Sequence, residues 1–151
     1  CRFEIIQKKP LVILDGAHNP SKIKFSLRKL EQLRYNRLII VLAIAEDKDY
    51  KTIVNKLSQI ADKIFFTRFL ITQRICASPK NLLKIYRKNN PKGIASIFLD
   101  PRAALENALH TAREDDAIFV TGSFFLAGEL RKHWQKEEEI LKQRSILRQK
   151  I

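Results

Sequence analysis

At 151 residues, 45% of them hydrophobic and 30% charged, the chain has the size and composition of one soluble globular domain built on a single core. It contains no long apolar run and no secretory h-region, so neither a membrane span nor export is expected and the cytosol is the default setting. The formal net charge of +13 raises the question of nucleic acid, yet the cations are spread through every predicted helix, with modest concentrations at Lys22 to Lys29, Lys80 to Lys92 and Lys132 to Lys150; no RNA-binding aromatic motif or zinc-knuckle spacing accompanies them, so specific nucleic-acid binding is not expected.

Apolar β-rich runs alternate with segments of helical period, the pattern of an α/β domain with a mostly parallel sheet. Arg2 to Gln7 predicts a first strand, and Lys8-Lys9-Pro10 separates it from a second, Leu11 to Leu14. Ile23, Leu27 and Leu30 then recur at helical spacing. A third strand is expected over Arg37 to Leu42, followed by the helical stripe Tyr50, Ile53, Val54, Leu57 and Ile60. Lys63 to Phe69 and Ser96 to Leu99 predict two more strands, Ala104 to Ala112 a helix, and Ala117 to Thr121 a sixth strand. The last helix should begin near Ser123 and run beyond Trp134 into a charged helical tail, residues 136–151, with only Ile140, Leu141, Ile146 and Leu147 to bury. Asn19-Pro20, Ser78-Pro79 and Asp100-Pro101 share one grammar, an N-cap acceptor before a proline whose missing N–H is no loss at a helix start.

In an open α/β sheet ligands collect beyond the carboxyl ends of the strands, where helix N-termini offer free N–H donors. Two segments have that form. Leu11 to Pro20 delivers Asp15, Gly16, His18 and Asn19 directly after a buried strand, and Ala117 to Ser123 delivers Gly122 and the Ser123 hydroxyl. Each has a plain structural reading beside the functional one: Asp15, Asn19 and Ser123 as helix caps, and His18 as a backbone-bonded imidazole. In a third loop, Ala45-Glu46-Asp47-Lys48-Asp49, Lys48 is a possible anion contact, with a surface salt bridge as the alternative.

The four glycines, Gly16, Gly93, Gly122 and Gly128, form neither a phosphate loop nor a dinucleotide turn, so the chain has no triphosphate cradle of its own. Cys1 and Cys76 are too few for a disulfide framework and lack metal-ligand neighbours; both read as free thiols. A chain that starts at Cys1 and contains no Met reads as a piece of a longer polypeptide.

Arg2-Phe3-Glu4, Asp15-Gly16-Ala17-His18-Asn19-Pro20, Asp47-Lys48-Asp49 and the Thr121 to Arg131 run, T-G-S-F-F-L-A-G-E-L-R, resemble in order the landmarks of the C-terminal domain of folylpolyglutamate and dihydrofolate synthases, in the Mur ligase superfamily. The resemblance spans nearly the whole chain, with Cys1 where that family usually has glycine and Ala45-Glu46 where it often has a more glycine-rich loop. It implies a Rossmann-like three-layer domain, a monomer, and a ligase in which ATP phosphorylates a folate or pteroate carboxylate before the amine of L-glutamate attacks the acyl phosphate. It implies also a missing N-terminal ATPase domain that carries the phosphate loop, the Mg2+ ligands and most of the folate substrate site. By the same resemblance Arg2 and Asp15 look like ATP-binding residues, the second at the ribose, His18 like the imidazole near the reacting groups, and Ser123, with His18, like part of the glutamate seat. The isolated domain is then inactive. Two alternatives stand beside this one: another Mur-type amide ligase, and a stand-alone basic module that binds anions or nucleic acid.

Overall fold

The computed structural model describes residues 2–136, 138, 139, 142–144 and 146. Six strands form one sheet: β1 (Glu4–Lys8), β2 (Leu11–Leu14), β3 (Leu38–Leu42), β4 (Lys63–Phe66), β5 (Ile94–Ile97) and β6 (Ala117–Thr121), in the spatial order β1-β2-β6-β3-β4-β5. Only β1 pairs antiparallel, through a tight turn to β2; all other neighbours are parallel, each reached by a helical crossover. The α/β expectation is borne out.

Strand alternation divides the core in two. Ile13, Ile40, Leu42, Ile64, Phe66 and Phe119 face a layer formed by α1 (Pro20–Glu31), α2 (Tyr50–Ser58) and α3 (Pro79–Asn89), which contributes Ile23, Leu30, Val54, Leu57, Leu82 and Tyr86. Val12, Leu14, Ile39, Val41, Ile118 and Val120 face α4 (Pro101–Thr111) and α5 (Phe124–Arg131) on the other side. The central strands β3 and β6 are buried throughout, which is why they read as unbroken apolar runs rather than as alternating ones.

Caps behave as expected at two of the three proline starts: Asn19 accepts from the Lys22 N–H and Asp100 from the Arg102 N–H. Ser78 is the exception, since its side chain makes no capping bond. Asp49 caps α2 instead, accepting from both the N–H and the hydroxyl of Thr52.

Several boundaries shift. β1 begins at Glu4 rather than Arg2, β4 stops at Phe66, and β5 sits two residues earlier than predicted because its register with β4 pairs Lys63 with Ile94 and Phe66 with Ile97. α5 ends at Arg131 and does not pass Trp134. There the backbone tightens to three-residue bonds at Lys132, His133 and Trp134, and the Trp134 indole donates to Gln7 on β1 at 2.9 Å. A guanidinium N–H of Arg131 reaches Glu4 at 2.9 Å, so two contacts staple the end of α5 to the first strand. Beyond it, residues 138, 139, 142–144 and 146 are helical, and Ile146 is exposed. Cys1, Ile140, Leu141 and Leu147 lie outside the described residues.

Candidate functional site

Strands β2 and β6 are parallel neighbours, so their carboxyl ends open at the same edge of the sheet and the turns that follow them meet. The Asp15 N–H donates to Val120 and the Gly122 N–H to Ala17, both at 2.9 Å, which locks one turn to the other. Gly16 gives up its Cβ to the ring of Phe124: a methyl there would stand 2.2 Å from the ring edge. Gly122 has φ +100, a conformation that side chains rarely adopt. Gly16 is thus explained by close approach and Gly122 by its backbone conformation, whereas a Cβ at Gly128, the third glycine of the motifs, would meet nothing within 4 Å.

Asp15 is only 4% exposed and already has two donors. Its Oδ1 accepts the Phe3 N–H at 3.1 Å and its Oδ2 the Ser26 hydroxyl at 2.5 Å. The carboxylate therefore ties the start of the chain to α1, and Ser26 is the one polar residue on the buried stripe of that helix for this reason. Phe3 itself sits at φ +46, a strained conformation for an aromatic residue, held by that bond to Asp15.

Around these groups lies a cavity of about 540 Å3, lined among others by Arg2, Phe3, Asp15, Lys22, Phe25, Lys29 and Phe124. The Lys29 ammonium stands 5.3 Å from the Phe3 ring centre and 5.0 Å from that of Phe25, and Lys22 stands 5.9 Å from Phe124. Cation–π contact steers two flexible side chains toward one opening. Three cations surround a single carboxylate, so the lining is net positive and the cavity favours an anion, and its three rings offer flat apolar faces beside that charge.

His18 is half-buried at the rim of the same turn. Its Nδ1 lies 2.9 Å from the Gly16 carbonyl oxygen, and its ring is 5.3 Å from Phe124. A carbonyl only accepts, so Nδ1 carries the proton and Nε2 is the lone-pair nitrogen of the neutral ring.

The predicted residues are not all brought together. Arg2 and Asp15 line the cavity and His18 adjoins it. Ser123 is 5% exposed, caps α5 by accepting the Phe125 N–H at 3.1 Å, and does not line that cavity. Lys48 stands in the loop after β3, away from the cavity lining, and among the described residues it has no ion pair; in that loop the surface salt bridge joins Asp47 to Arg74, at 3.8 Å. Lys22, Phe25, Lys29 and Phe124 are site residues that sequence reasoning missed. Phe124 lay within the T-G-S-F-F-L-A-G-E-L-R run and Lys22 and Lys29 bounded a concentration of cations, while Phe25 is an aromatic residue on the exposed face of a helix, 59% accessible.

Among the described residues, no group of three or more His, Cys, Asp or Glu is assembled that could hold a metal ion, and no helix is long and apolar enough to cross a membrane.

Fold and site together define a doubly wound α/β domain with an anion-accepting cavity at the carboxyl edge of its sheet. The family described as "Mur ligase, glutamate ligase domain" matches residues 1–124, and the chain belongs to it. It is 30% identical over 132 residues to a dihydrofolate synthase/folylpolyglutamate synthase of Buchnera aphidicola subsp. Baizongia pistaciae, covering 87% of this chain and 30% of that protein. It is 28% identical over 135 residues to a probable bifunctional folylpolyglutamate synthase/dihydropteroate synthase of Haloferax volcanii, covering 89% of this chain and 16% of that one. Among solved structures it resembles a Yersinia pestis folylpolyglutamate synthase/dihydrofolate synthase complexed with AMPPNP and Mn, with a TM-score of 0.74 and 26% identity over 88% of this chain and 30% of that one. The resemblance seen in the motifs is borne out. The chain spans less than a third of the length of these relatives.

Proposed function

We propose that the chain is the glutamate-side domain of an ATP-dependent ligase that joins L-glutamate to dihydropteroate or a reduced folate. The observation that carries this reading is the cavity itself: rings for a base, cations for phosphates, and a buried carboxylate, all beside the two turns of the family motifs. Arg2 and Lys29 hold phosphate oxygens, and the remaining lone pairs of Asp15 accept from a ribose hydroxyl while its two internal bonds fix Phe3 and α1. ATP supplies the phosphoryl group that converts the substrate carboxylate to an acyl phosphate. The glutamate amine forms the new C–N bond as phosphate leaves, and His18 Nε2 is the acceptor for the proton the amine loses. Ser123 and the N-terminus of α5 seat the glutamate carboxylate.

On this reading Mg2+ and the triphosphate cradle belong to an N-terminal ATPase domain of the same polypeptide, which the greater length of the relatives supports. Such an enzyme works in the cytosol, which suits the free thiol of Cys76.

The test uses the enzyme that carries this chain. Arg2→Ala and Lys29→Ala each raise the ATP requirement by about tenfold or more, as expected for a lost hydrogen bond to a charged group, and leave glutamate saturation unchanged. Unchanged ATP saturation in both variants would overturn the assignment. The 151-residue chain by itself produces no ADP with Mg2+.

A further inference from the structure

Among the described residues much of the positive charge lies on one side of the fold. The layer of α1, α2 and α3 carries ten Lys and Arg, four from α1, two from α2 and four from α3, against Glu31 alone. On the opposite side α4 and α5 carry two bases and two acids. Among the described residues none of those ten cations is in an ion pair. Lys22 and Lys29 belong to the cavity described above, so the remaining field centres on α3 and α2. Between Tyr50 and Leu99 the chain has one acidic residue, Asp62, and its carboxylate is engaged by the Leu38 N–H. Lys80, Lys84, Arg87 and Lys88, with the half-buried Leu83 and Ile85 between them, line a shallow depression of about 640 Å3 on α3. Asn89 at the end of that helix bonds Asn55 of α2, so the helices adjoin and Lys51, one turn before Asn55, extends the same face.

We propose that this α2–α3 face binds the phosphate backbone of nucleic acid, without reading its sequence. Charge complementarity requires a polyanion. Eight of the ten cations are Lys, the residue depleted from protein–protein interfaces but suited to phosphates as a point charge. Base-specific readout relies mainly on Arg and Asn forks aimed into a groove, and the face has one exposed Arg, already bonded to the Gly93 carbonyl. A membrane surface fits less well, because the one exposed large hydrophobic residue within the three helices is Phe25, which lines the cavity. The surface is separate from the proposed reaction and stands or falls independently of it.

The test is fluorescence anisotropy of the chain with two labelled 20-base-pair duplexes of different sequence. Four to five phosphate contacts predict a slope of log affinity against log salt of about −4, so that binding weakens roughly 100- to 300-fold between 50 and 200 mM salt, equally for both duplexes. Lys80→Glu/Lys84→Glu/Lys88→Glu weakens binding at least about tenfold at 50 mM and flattens the slope by about 3. Lys8→Glu/Lys9→Glu/Lys136→Glu makes the same charge change at the opposite edge of the sheet and stays within about threefold of the parent, the screening of distant charges permitting no more. The corresponding Lys→Gln triple and circular dichroism of each variant guard against a loss that reflects misfolding. Equal losses in the two Glu triples, no saturable binding at 50 mM, or a polyglutamate peptide or anionic vesicle that binds as tightly as the duplex would each overturn the proposal.

Discussion

Gly122→Ala separates the geometric account of the β6–α5 turn from one in which this glycine is merely a flexible link. A Cβ at this position would lie 2.4 Å from the carbonyl oxygen of Ala43, 2.7 Å from Leu42 Cδ1 and 3.0 Å from Ile44 Cγ1. The first of these is backbone of the chain leaving β3, and Leu42, Ala43 and Ile44 are all fully buried, so the neighbours have nowhere to go. At φ +100 the alanine also pays backbone strain of about 1–3 kcal/mol. Overpacking adds about 1–3 kcal/mol, and the smaller entropy of the unfolded alanine chain returns about 0.4–1 kcal/mol. At the middle of each range the net is a loss of about 3–4 kcal/mol, a large part of a stability of about 5–15 kcal/mol. For a domain of this size that corresponds to a fall in Tm of roughly 6–16 °C. Calorimetry and urea unfolding of the variant beside the parent measure it, and a fall of less than about 3 °C would refute the reasoning.

Gly16→Ala should act on binding rather than stability, because its Cβ meets the outer edge of the half-exposed Phe124 ring, which can swing into solvent and deform the cavity; Tm falls by less than about 4 °C while nucleotide affinity drops several-fold, read by thermal melting and by calorimetric titration with ADP. Asp116 is buried and accepts from the Arg37 guanidinium and from the N–H groups of Arg37 and Arg113, and the Arg37 bond holds its carboxyl below the ordinary 3.8. A depressed pKa contributes stability above the unfolded value that is lost as pH falls through the folded one, so urea unfolding should show a gap between the parent and Asp116→Asn at pH 7 that closes below about pH 4; a gap unchanged down to pH 3 contradicts the ion pair. Ser123→Ala removes the cap on Phe125 and lowers stability by about 1 kcal/mol. In the complete enzyme it should also raise the glutamate requirement by about one to two orders of magnitude; initial rates over a glutamate series that match the parent would leave Ser123 a cap alone.

The amino-acid sequence by itself determined the α/β class, the six strands, and the turns that end at Gly16 and Gly122, because these follow from local periodicity and from residue types with few conformational options. It also carried the family, through two runs long enough to be specific. Strand ends were less legible: β5 is set by its pairing with β4, a register that no local pattern encodes, and α5 stops where Trp134 finds Gln7 across the whole length of the chain. The cavity was decided only by tertiary structure. Phe3 reaches it because Asp15 holds its N–H, Phe124 because Gly16 leaves room for its ring, and Lys29 because Phe3 and Phe25 flank it. In sequence the cations were spread through every helix, with modest concentrations at Lys22 to Lys29, Lys80 to Lys92 and Lys132 to Lys150. Right-handed crossovers from β3 and β4 stack α2 and α3 on the same side of the sheet as α1, and that layering turns scattered lysines into one charged face.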